Sequence, residues 1–315
     1  MGVAAVLIGV ALVPVPATRE LSFSDALSGA VSQGYFAAGP EWEREAPELE
    51  RRISSAPSPQ AAQWAAAALV QLAGGKHSGL LTADDLAAAG SPSAENASDA
   101  APSVHQEGCV AVLRLPTFVA STELQATQYA IASVTAIDRA EQSRPCGWVV
   151  DLRGNSGGTT KAMLAAVAPL LPDGLVMSVV DRVGVVQQVR VVANTVRLTD
   201  AATHHGWSSG LFESVKVPVG RLAVLTDAHT ASAAEAVALA LRSVPDARSF
   251  GAPTYGLTSY NEAYTLPNGW VVRLTTGVYA DTAGHTYVNV PLRPDVTTAA
   301  PMETAMRWLA QTPLS

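Results

Sequence analysis

The residues best suited to chemistry fall in two short stretches. Asp151-Leu-Arg-Gly-Asn-Ser-Gly-Gly158 stands where a buried strand is expected to end and a helix to begin. Its glycines let successive backbone N–H groups converge on one point, which suits an anion or a developing oxyanion. The stretch continues Gly-Gly-Thr-Thr-Lys161, without the Gly-Lys-Ser/Thr ending of a phosphate loop, so nucleotide binding is not indicated. The same residues would also serve a tight strand-to-helix turn with Arg153 in a local ion pair. Thr230-Ala-Ser-Ala-Ala-Glu235 opens a second helix after the strand 222–226. Ser232 with Glu235 three residues later has the form of a capping box. Alternatively, Ser232 is a nucleophile at a helix N-terminus, with the N–H of Ala233 aimed at the oxyanion. Neither stretch decides the matter alone.

In order and together, the two stretches resemble the C-terminal-processing (tail-specific) serine peptidase family. Gly251-Ala-Pro-Thr-Tyr-Gly256 and Pro294-Asp295 fit the same pattern, and the resemblance runs over about residues 60–296. It implies an α/β fold with a crotonase- or ClpP-like core, Ser232 as nucleophile, and oxyanion donors from Ala233, Gly157 and Gly158. Much of the family pairs the serine with a lysine. Here the lysine position holds Leu257, which cannot accept a proton, so another base is required. Lys76-His77-Ser78-Gly79 looks like the His-Ser/Thr element of the lysine-lacking, tricorn-like branch. That likeness implies His77 as the base and Ser78 as a helper. The branch also uses a carboxylate, for which Glu262 is the candidate, although it has no residue-by-residue match. An imidazole of pKa ~6.5 suits acyl transfer near neutrality, so activity should rise with pH through that value and then level off.

Other polar side chains carry less. His229 lies too close to Ser232 in the same turn to reach its hydroxyl. The adjacent His204 and His205 point in different directions without accompanying ligand spacing, and His105 and His285 read as surface residues. No metal site and no cofactor are expected. Cys109 and Cys146 each begin an expected strand, and are either bridged or two separate buried thiols.

These groups need strands that end together. Buried strands are expected at 110–115, 147–152 and 222–226, alternating with helices at 123–141, 160–171 and 233–241, which implies βαβ crossovers and a mostly parallel sheet. Segments 263–266 and 270–276 flank Pro267-Asn268-Gly269 as a hairpin, and 304–309 closes as a helix. Helices at 21–33, 41–53 and 60–72 precede the core, the last stopped by Gly74-Gly75. Residues 194–217 form a polar excursion of unassigned structure. The expected organisation is a possible signal-peptide remnant over 1–17, a small helical N-terminal region over 18–88, a linker loop over 89–108 and a peptidase core over 109–315. The apolar run 3–13 is too short for the ~20 residues that span a bilayer. It is either what remains of an export signal or a buried helix, and no stable membrane insertion is expected after Ala17. Many relatives carry a PDZ domain before the core, but residues 81–108 fall short of the ~50 of a small domain.

Composition fits this picture. The chain has 315 residues, 48% of them hydrophobic, with 27 acidic against 20 basic side chains, which argues for a packed core and against nucleic-acid binding. The function implied is an exported serine peptidase acting on a peptide or unfolded protein. The alternative is a non-catalytic module of the same fold that carries an apolar ligand or peptide. Oligomeric state is not legible.

Overall fold

The computed structural model describes residues 22–89, 101–200, 206–209, 216–217 and 220–311. The possible signal remnant, most of the expected loop before residue 103, and His204-His205 lie outside these residues. Three helices lead the chain: α1 (Phe23–Val31), α2 (Pro40–Ser54) and α3 (Pro59–Gly74). Ser22 and Ser58 cap α1 and α3 by accepting the amides of Asp25 and Ala61, and Pro59 opens α3 where no amide partner is needed. A short 3-10 turn over Gly75–His77 then leads into β1 (Gly79–Leu81), followed by α4 (Ala83–Ala89).

The central layer is a six-stranded sheet containing β2 (Ser103–Glu107), β3 (Val110–Arg114), β4 (Gly147–Asp151), β9 (Leu222–Thr226), β10 (Ala247–Gly251) and β14 (Val296–Thr297). Its order is β14-β10-β9-β4-β3-β2, parallel throughout except for the β2–β3 pair. Strand alternation sorts the two faces. Ala111, Leu113, Trp148 and Val150 pack towards α5 (Glu123–Glu141), α6 (Thr160–Ala166) and α7 (Ala233–Leu241). Val110, Val112, Val149 and Leu225 pack towards α8 (Pro301–Ala310). Ser103–Glu107, expected within the linker loop, is thus a strand paired to the core.

A mostly parallel arrangement holds for this sheet only. A second, eight-stranded sheet is antiparallel at every pairing. It contains β1 with β5 (Gly174–Asp181), β6 (Val186–Val192), β7 (Thr195–Asp200), β8 (Gly206–Ser208), β11 (Ser259–Thr265), β12 (Val271–Ala280) and β13 (Thr286–Tyr287). Its connections dictate this: two residues, Ala193 and Asn194 at φ 46° and 62°, join β6 to β7, and so short a turn can only reverse the chain. No strand is expected from the sequence over 174–193, and part of the 194–217 excursion is β7 and β8. The N-terminal helices are not a separate body. Leu27, Val31, Leu69 and Val70 share one apolar cluster with Leu266, Val272 and Leu274 around β12.

Cys109 and Cys146 form a disulfide, their Cα atoms 5.4 Å apart across the starts of neighbouring parallel strands. No described helix is long and apolar enough to cross a membrane.

Candidate active site

Ser232 sits at the N-terminus of α7, just beyond the end of β9, with φ 54° and ψ −116°. A serine holds a positive φ only when its surroundings leave it no alternative. Here the constraint is the fully buried Glu235. One of its carboxylate oxygens accepts the amides of Ser232 at 2.8 Å and Leu257 at 2.7 Å. The other accepts the Gly256 amide at 2.8 Å and the Thr254 hydroxyl. Glu235 therefore makes the returning bond of the capping box and also clamps the 254–257 loop onto the serine turn. Burial pushes its pKa upward, against the four donors that hold it down.

The glycine stretch is fastened to the same turn. Asn155, buried, donates to the Leu115 carbonyl at 2.8 Å, while its own carbonyl accepts the Ala231 amide at 2.9 Å. Asp227 accepts the amides of Gly154, His229 and Thr230 at 2.9–3.1 Å. Gly157, at φ 98°, lies so close that a Cβ there would stand 2.8 Å from Ser232 Cβ and 3.0 Å from the Ala233 nitrogen. Only glycine permits this approach. The three expected oxyanion donors differ, however. The Gly157 N–H is already taken by the Asn155 side chain at 2.8 Å. The N–H groups of Gly158 and Ala233 have no protein acceptor among the described residues. Arg153 makes the expected local ion pair, gripping Asp151 with two side-chain bonds of 2.8 and 2.6 Å.

His77 ends the 3-10 turn and is 5% exposed. Its carbonyl accepts Arg273 Nε at 3.1 Å, and its Nδ1 lies 2.8 Å from the hydroxyl of Ser259 on β11. The Ser259 amide donates to the Leu257 carbonyl at 2.9 Å, and the Leu257 amide shares its carboxylate oxygen with Ser232. A short run of hydrogen bonds thus ties the imidazole to the serine turn, although the sequence separates them widely. Burial, with the charges of Arg273 and Lys76, drives the His77 pKa from 6.5 down to about 3. The imidazole is neutral at the pH where a base near ~6.5 was expected to titrate.

Two expected partners of His77 are engaged elsewhere. Ser78 Oγ accepts the Thr275 amide at 2.9 Å and pins β1 against β12. Glu262 is not paired with His77 among the described residues. Its carboxylate accepts the Tyr264 hydroxyl at 2.6 Å. The reason is parity: Glu262 is three residues along β11 from Ser259, so the two side chains leave opposite faces of the strand. Ser259 was missed because its importance depends on register, whereas Glu235, Asn155 and Asp227 stood beside the glycine and serine stretches as polar residues in buried settings. His229 is 81% exposed beside Asp227, as expected of a loop residue. His105 and His285 pair with the nearby acids Glu107 and Asp281 at the surface. No group of three or more metal-binding side chains occurs among the described residues.

The class that this fold and site define is the serine-type peptidases, hydrolases that cut peptide bonds. The family model for Peptidase family S41 matches residues 109–298, and the chain belongs to that family. It is 28% identical over 241 residues to the nisin-resistance protein of Lactococcus lactis subsp. lactis, covering 76% of this chain and 71% of that protein. In fold it is similar to a lipoprotein from Streptococcus agalactiae, with TM-score 0.76, 22% identity, and coverage of 95% of this chain and 98% of the other. The photosystem II D1 C-terminal processing protease shares the fold at TM-score 0.57 and 18% identity, with coverage of 88% and 92%.

Proposed function

We propose that this peptidase uses Ser232 as its nucleophile and His77 as its general base. Neutral His77 carries its proton on Nδ1, donates it to Ser259 Oγ, and keeps Nε2 as the proton acceptor. Ser232 Oγ attacks the scissile carbonyl as His77 takes its proton, and the resulting imidazolium delivers that proton to the leaving amine. The N–H groups of Gly158 and Ala233 stabilise the tetrahedral oxyanion. Water then hydrolyses the acyl-enzyme by the same route in reverse order. Two cationic neighbours, with no carboxylate paired to the ring among the described residues, disfavour an isolated imidazolium, so its charge is best tolerated when the oxyanion forms beside it. Ser259 positions the ring in the place expected for a carboxylate, and a crotonase- or ClpP-like ancestry suits the parallel sheet and its helices. The observation that carries the reading is the positive-φ serine turn, clamped by Glu235 to the loop that leads into the His77 partner.

The matched protein named for nisin resistance supports a peptide substrate, and nisin is the first peptide to try. The disulfide, together with a structural relative described as a lipoprotein, supports an extracytoplasmic setting. The deciding experiment is labelling with a fluorophosphonate probe. Labelling at Ser232 that disappears in Ser232→Ala supports the mechanism. Folded protein that never labels, at any pH, would favour a non-catalytic binding module.

A further inference from the structure

The carboxylate of Glu262 has its own surroundings. Along β11, Tyr260, Glu262 and Tyr264 leave the face opposite Ser259 and line a cavity of about 270 Å³. Its other walls come from Gln33, from Thr276 and Gly277 on β12, and from the end of β5 with the turn into β6, where Val183 and Val185 form an apolar rim 74% and 43% exposed. Pockets for drug-sized ligands are generally ~300–1,000 Å³, so this one suits a single side chain.

Charge selects which side chain. Glu262 Oε2 is held by Tyr264, and Oε1 has no protein partner among the described residues. Asp181 adds a second negative charge to the wall, with one oxygen taken by the amides of Val183 and Val185 at 2.9 and 2.8 Å. Arg182, the basic residue lining the cavity, already has its guanidinium bonded to the backbone carbonyls of Ser32 and Gly34. What remains is a carboxylate flanked by two tyrosine rings, behind valines that could cover an alkyl stem. Guanidinium and ammonium groups are bound by carboxylates and by aromatic faces, and their aliphatic stems by apolar surface.

We infer that this cavity is an exosite for an arginine or lysine side chain of the peptide substrate, on the sheet face away from His77. The binding chemistry stands on the cavity itself, and only the identity of the guest as substrate rests on the peptidase reading. The probe is an end-capped pentapeptide, Ala-Val-Arg-Val-Ala, compared with the same peptide carrying citrulline, which keeps the shape and removes the charge. Calorimetry on the Ser232→Ala protein measures binding without turnover. The arginine peptide should bind about tenfold more tightly than the citrulline peptide. The gap should close in Glu262→Gln and shrink in about 0.5 M salt. Val183→Lys, at an exposed position that folding tolerates, places a competing cation at the rim and should abolish the preference even if Glu262→Gln folds poorly. Equal binding of the two peptides, no binding of either, or a gap that survives both substitutions would overturn the inference. Fluorophosphonate labelling of Ser232 in wild-type protein reports the peptidase reading separately, so either reading can fail without the other.

Discussion

Replacing His77 with asparagine should remove a pH dependence that the wild-type fold carries. In the unfolded chain an imidazole binds its proton below pH ~6.5, whereas folded His77 does so only near pH 3. Between those values the unfolded chain holds the extra proton. Stability therefore rises with pH across the window and is complete above ~6.5. Each unit is ~1.4 kcal/mol, which makes ~5 kcal/mol over the whole window and ~3 kcal/mol between 6.5 and about 4.5. Asparagine keeps an amide that can donate towards Ser259 but has no proton to gain. Urea unfolding at about pH 7.5 and 4.5 separates this effect from the other carboxylates, which both proteins share. The advantage of wild type over His77→Asn should shrink by ~3 kcal/mol at the lower pH. A constant difference would refute the argument that burial excludes the imidazolium. The same titration bears on rate: kcat/KM should stay near its plateau well below pH 6.5, and an inflection at 6.5 would contradict the buried setting of the base.

Glu235→Gln keeps the shape but turns an amide nitrogen towards the backbone amides of Ser232 and Leu257, or of Gly256, which can only donate, leaving at least one buried N–H unpaired. A loss of ~2–4 kcal/mol in urea unfolding is expected, with slower fluorophosphonate labelling of Ser232. If both quantities stay at wild-type values, the carboxylate is not what holds the serine turn. The Cys109–Cys146 bridge closes a loop of 37 positions, and replacing both with serine should cost ~4 kcal/mol. Alkylation of the unreduced protein should modify neither cysteine, and two modified thiols would reject the bridge.

Three strands of the parallel half, β3, β4 and β9, were legible because they are continuous apolar runs, whereas the polar β2 and β10 and the two-residue β14 carry no such signal. The second sheet was harder. Its β5–β8 strands mix apolar and polar residues, as in Val186–Val192, and their connections carry few of the usual turn signals. The serine and glycine stretches were readable because their conformation is set by residues close in sequence, the capping pair Ser232 and Glu235 and the glycines Gly154, Gly157 and Gly158. The hydrogen-bond partner of His77 was not, because choosing between Ser259 and Glu262 requires knowing which face of β11 meets the imidazole. Gly157 shows a related limit: its type and spacing fit an oxyanion donor, but the neighbouring Asn155 claims the hydrogen.

His77 ends the turn that leads into β1, an edge strand whose partner, β12, begins at Val271. The bonds that seat its backbone and ring reach across 196 and 182 positions of chain. During synthesis the segment bearing the imidazole leaves the ribosome early and must wait for the last third of the polypeptide before it has a place to dock. On the proposed mechanism, a half-made or cleaved chain could expose the serine without a working proton acceptor. On that mechanism, proteolytic capacity waits until these late positions are in place, a consequence of connectivity alone.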